Sequence, residues 1–321
     1  MIRQAQPILT FLLLPLWLGA GLSAQSVSSP TGAQSRPAKA QSQPAKAQSQ
    51  PAKQGALSEA QKKELIQILD AGGVKIDFAK ATVTVEARVG IRDDYIEYLL
   101  IGPRGKRHEA LFVTPAKASL IHAAMLALGY KKGVNARAVP KDPFPTEEEY
   151  KKGAKTHDLY PPKGQEVFLT VRWKDEKSGK IHQYRIQDLY HDLVDGGTVK
   201  NAHYVYIGSR MARLYKGEEP QYMADVEQNL ISNYYVMPDN QLITIVHKHA
   251  WDDSIWFPAV DRLPAKGHLV TFIFSKKQIA KAQPLAAPAS RPSKAPPGGP
   301  SPAKGTGDKK ETKKSPEETG R

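Results

Sequence analysis

Hydrophobic and polar positions alternate most regularly near residue 85, where Val83, Val85, Ala87 and Val89 fall on one side and Thr84, Glu86 and Arg88 on the other. A period of two marks a strand with one face in a core and one in water. The next run covers 95–101. The turn Gly102-Pro103-Arg104-Gly105 follows, and a short strand is expected over 107–113. Val167, Leu169, Val171 and Trp173 again share a face, and the polar stretch 175–179 leads into a partner at 181–186, which predicts a hairpin. Further strand runs lie at 203–207, 221–226, 230–236, 242–247 and 269–274. Helical spacing occurs twice. One helix starts at Ser58, a capping residue, and closes near Gly72-Gly73; the other covers 117–128, with Pro115 near its first turn and Gly129 past its end. The proline-rich stretch 135–164 reads as a long surface loop. Together these elements predict an α+β fold, a mostly antiparallel sheet with one or two packed helices.

Hydropathy also divides the chain. In 1–24, Arg3 precedes an almost wholly apolar run, and Leu22-Ser23-Ala24 offers a small residue at a cleavage point, so this part reads as an export signal. Its apolar run is interrupted by Pro15 and is shorter than the ~20 residues a spanning helix requires. No other transmembrane segment is expected. Residues 25–56 contain AQSRPAK, AQSQPAK and AQSQPAK, a seven-residue period without apolar seam positions and with Pro37, Pro44 and Pro51 spaced through it. These features exclude a coiled coil and predict a solvated linker. Residues 57–275 form the globular part. The Lys, Pro and Ala-rich stretch 276–321 has too little apolar surface to offset chain entropy and reads as a disordered basic tail.

The formal net charge of +14 belongs mostly to the flanks: residues 57–275 hold 30 basic and 28 acidic side chains, a balance of +2. A nearly neutral core argues against dedicated nucleic-acid recognition. The basic flanks suit an envelope protein or an anionic surface polymer, by salt-sensitive attraction. The chain has no cysteine, which removes disulfides, thiolate nucleophiles and iron-sulfur clusters together.

Several separated motifs occur in order: KRHEALFVTPAKASLIHAAMLALG, then RIQDLYHDLVDGG followed by HYVYIGS, then QYMADVEQNLIS and LPAKGHLVTFIF. In these motifs the chain resembles the YdjY-type domain of exported bacterial proteins, over about residues 74–275. The resemblance implies export and a single domain, and the family has no settled activity. A ferredoxin-like label attached to the family does not carry over, because cluster ligation needs thiolates.

Candidate chemistry centres on histidines. His108, Glu109 and His122 stand in the first motif. Imidazole and carboxylate suit a metal or an acid/base pair, yet on a regular strand His108 and Glu109 point to opposite faces. The geometric question is whether His108 faces His122 across the strand-helix contact. His247 and His249, two apart on an expected strand and followed by Asp252 and Asp253, form a second candidate for a divalent metal. Asp188, His191 and Asp192 are a weaker cluster. Ser209 follows a glycine, but the Gly-x-Ser-x-Gly turn of a hydrolase is absent, as is a phosphate-binding glycine loop. The reading is a noncatalytic, envelope-associated binding module. The alternative is a metal-binding protein or metal-dependent enzyme using His108 and His122, or His247 and His249.

Overall fold

Ser58 begins the first helix through a reciprocal cap. In a computed structural model of the chain, which describes residues 57–283 and Leu285, its hydroxyl accepts from Gln61 N, while Gln61 Oε1 accepts from Ser58 N at 2.9 Å. Backbone N–H groups at the helix start are thereby satisfied. The expected export signal at 1–24, the repeats and most of the expected basic tail lie outside the described residues.

Helix α1 (Glu59–Ala71) leads to β1 (Val74–Asp77), β2 (Thr82–Val89), β3 (Tyr98–Ile101) and β4 (Ala110–Val113), then to α2 (Ala118–Ala127). An excursion follows with β5 (Arg137–Pro140), α3 (Glu147–Lys151) and β6 (His157–Tyr160). Next come β7 (Gln165–Glu166), β8 (Phe168–Lys174), β9 (Ile181–Arg185), β10 (Tyr190–Asp192), β11 (Gly197–Thr198) and β12 (His203–Tyr206). The last part holds β13 (Met211–Ala212), β14 (Gln221–Tyr222), α4 (Met223–Glu227), β15 (Asn229–Ser232), β16 (Ile243–Val246), β17 (Trp256–Pro258) and β18 (Leu269–Ser275).

One large sheet runs in the order β7, β12, β16, β15, β3, β4, β2, β18, β8, β9, with β1 beside β2. It is mostly antiparallel, but β3 with β4 and β15 with β16 are parallel pairs. A smaller sheet has the order β11, β10, β17. The β2–β18 register sets Val83, Val85 and Ala87 opposite Phe274, Phe272 and Val270, so the apolar side of β2 is the core side. Phe272 is fully buried with its ring edge-on to Phe112 at 5.9 Å, the kind of burial that contributes about 1.5–3 kcal/mol per side chain. Helix α2 buries Leu120, Ile121, Ala124 and Met125 and lies over β1 and β2.

The sheet-dominated α+β reading holds, and four expectations need correction. Residues 107–109 form a 3₁₀ turn rather than strand: Arg107 N donates to Gly105 O and Glu109 N to Lys106 O, so the ladder begins only at Ala110. The run 221–226 is mostly α4, because the buried Ser209 Oγ accepts from Ala224 N at 3.1 Å and Gln228, in the left-handed region, ends the helix. The stretch 135–164 contains a β5–β6 ribbon and α3, which Thr146 and Glu149 cap reciprocally. Past β18 the described residues run on through Gln283 and include Leu285, with Ala280 and Leu285 buried. Four α-helices are present among the described residues, two of them with five residues each.

Candidate functional site

The outer face of β2 floors an open cleft of about 860 Å³. Alternation along β2 leaves Glu86 and Arg88 exposed there while Ala87 and Val89 point inward. The walls are the loop 90–94, the turn containing Pro103, Arg107 and His108, and residues 266–269. Gly90 makes this arrangement sterically feasible, since a Cβ there would come within 2.3 Å of Ala110 O. Arg88 ties one wall by donating to Gly267 O at 3.0 Å.

His108 stands on the rim, its side chain 76% exposed, and its Nε2 lies 3.2 Å from Glu109 Oε1. The tight turn therefore sets the two side chains together instead of on opposite strand faces. Behind them, Lys106 Nζ lies 3.4 Å from Glu97 Oε2 and 3.3 Å from Glu109 Oε2. Burial first, and then the neighbouring Glu109 carboxylate, push the Glu97 carboxyl up to about 7. Burial likewise raises Asp253, which feels the same acidic group. Glu97 and Lys106 were not apparent from sequence, because a carboxylate and a lysine on a polar turn look like ordinary surface charge.

His122 joins a different environment. The Tyr206 hydroxyl and His122 Nδ1 share a hydrogen bond at 2.6 Å, and the imidazole ring packs against Tyr222 at 5.2 Å. Burial, aided by the Lys132 charge, lowers the His122 pKa to about 4, so the imidazole is neutral near pH 7. Ser209, at φ +51°, accepts from α4 and donates to Asp239 O at 3.4 Å, while its own carbonyl accepts from Lys132. His108, Glu109 and His122 are thus not brought together, and no single centre uses all three.

The second candidate comes together with different carboxylates. Strand β16 ends at Val246, and a turn brings the His247 and His249 rings to 5.2 Å. His249 Nδ1 lies 3.0 Å from Asp192 Oδ2, and His247 Nε2 lies 3.9 Å from the same oxygen. Asp195 completes a group whose four donor atoms all lie within 4.8 Å of one another. Asp252 and Asp253 are carried away by the turn in which Asp252 N donates to His249 O; Asp252 instead accepts from Ser254 N and Oγ. Asp188 pairs with Arg185 at 2.6 Å, and burial lowers the pKa of His191. Asp192 was a weak sequence candidate. Asp195 sits in an Asp-Gly-Gly turn more than fifty residues from the histidines, and nothing local marks it.

A family model described as the YdjY domain matches residues 74–275. No curated protein and no solved structure matches the chain.

Proposed function

The chain belongs to the YdjY domain family, and from that premise we propose that it is a noncatalytic binding module of the cell envelope whose ligand occupies the cleft on β2. The cleft's composition carries this reading. Ile91, Val113 and Leu269 give it apolar surface, while Arg107 and Lys266 stand among Glu86 and Asp93. Its volume falls in the range of ligand clefts, and apolar surface with a few dispersed charges of both signs suits an extended peptide of mixed charge. His108 supports a binding role. A general base must be held in reach of the proton it takes, whereas this imidazole is mostly in water and pairs with the adjacent Glu109.

Export rests on the apolar N-terminal run, and envelope contact on the basic flanks that attract anionic surface polymers. The test places a photo-crosslinker at Lys266 and captures partners from envelope extracts with the full chain. Arg107→Glu is expected to lower the cross-linked yield about tenfold, a loss of 1.4 kcal/mol, without changing the melting temperature. Replacing the flank lysines with glutamine should flatten the salt dependence of capture. Equal yield from wild type and Arg107→Glu would overturn the cleft as the binding face.

A further inference from the structure

We propose that Asp192, Asp195, His247 and His249 form a binding site for one divalent transition-metal ion, zinc in the first instance. The site shares no residue with the cleft and does not depend on what the cleft binds. Its centre is the Asp192 carboxylate, whose side chain is fully buried. Oδ1 accepts from Val194 N at 2.9 Å and Asp195 N at 3.2 Å, which leaves Oδ2 directed at the two imidazoles. Among the ion pairs of the described residues, Asp192 meets these histidines and no lysine or arginine. Lys248, the nearest cation in sequence, pairs with Asp195 at 2.9 Å instead. A buried carboxylate is costly without a compensating charge, and two imidazoles supply only hydrogen bonds unless one is protonated. A metal ion supplies that charge.

The donor set and its supports match an ion of borderline softness. Two nitrogens and two carboxylate oxygens suit zinc and its neighbours, whereas calcium and magnesium prefer all-oxygen shells. Asp192 is fixed on β10, paired with Trp256 of β17, whose ring packs on His247 at 5.4 Å. His247 Nδ1 accepts from His249 N at 3.3 Å, so its Nε2 carries the proton and donates to Lys200 O at 3.0 Å. Metal binding at Nε2 displaces that proton, the usual accompaniment of ligation by histidine. Donors around a tetrahedral zinc are ~3.4 Å apart for bonds near 2.1 Å. Closing from the observed spacing needs a shift of about 1 Å, within reach of Asp195 and His249 because both lie on turns. Asp195 must exchange Lys248 for the ion.

The experiment uses the full chain without a polyhistidine tag, stripped with EDTA and titrated with zinc chloride by calorimetry. One equivalent is expected to bind. Asp192→Asn and His249→Ala should each weaken binding by about 10–100-fold, with His108→Ala and His122→Ala unchanged. Since replacing the buried Asp192 can also disturb folding, Lys248→Ala serves as the second variant. It removes the competitor for Asp195 and should tighten binding severalfold while leaving the domain intact. Uptake below about 0.1 equivalent means an Asp192–His249 ion pair alone and overturns the site. So does stoichiometric uptake that all three substitutions leave unchanged.

Discussion

At the scale of single residues, His108 and His122 show how two histidines of one motif divide into different roles. Both stand in the first family motif, yet one is on a cleft rim and the other is hydrogen-bonded to a tyrosine inside the fold. Removing one partner of a buried hydrogen bond leaves the other to bear its desolvation cost. His122→Ala is therefore expected to destabilise the protein by about 1–3 kcal/mol in urea unfolding, because Tyr206 loses its partner. His108→Ala should stay within about 0.5 kcal/mol of wild type. Equal losses for the two variants would show that His122 does not anchor Tyr206. The sequence marked both histidines as special but did not separate them, since the difference lies in Tyr206, more than eighty residues away.

Among elements, the segment after β18 shows where composition loses resolution. Gln283 N donates to Asp188 Oδ2 at 3.0 Å, Gln283 Nε2 donates to Gln183 O on the edge strand β9, and Arg262 donates to Gln283 O. Leu285 is buried and exchanges backbone bonds with the Thr198 hydroxyl. The strap covers backbone groups that an edge strand would otherwise expose. Ending the chain after Ser275 is expected to cost about 2 kcal/mol, seen as a fall in Tm of about 4–8 °C with far-ultraviolet dichroism little changed. An unchanged Tm would show that the strap adds nothing to the fold. Lysine and proline content pointed to a disordered tail from 276 because it averages over a few docked groups. The α4 segment departs from its strand-like pattern for a related reason: Tyr222, Ala224 and Val226 alternate like a strand, but Ser209, fifteen residues before Ala224, accepts from Ala224 N in the helix.

For the whole molecule, buried titratable groups couple stability to pH in opposite senses. The His122 pKa falls from 6.5 to about 4 on folding, so its contribution is complete above 6.5 and lost as pH falls toward 4. Burial shifts His191 and His247 the same way. The Glu97 pKa rises from 4.5 to about 7, so its contribution is complete below 4.5 and lost as pH rises through 7. Glu97→Gln is thus expected to stabilise the protein by on the order of 2 kcal/mol at pH 8 relative to pH 4.5, read by denaturant melts at both values. A pH-independent difference between variant and wild type would refute the Glu97 assignment. The sequence by itself determined the main strands of the large sheet, the two longer helices, the sheet-dominated class and the family, because periodicity and caps are local and the family motifs occur in order along the chain. Only the tertiary structure decided which polar and titratable groups meet. Glu97 with Glu109, His122 with Tyr206, and Asp192 with His249 are joined by strand order and turns, and burial then gives each pair its chemistry.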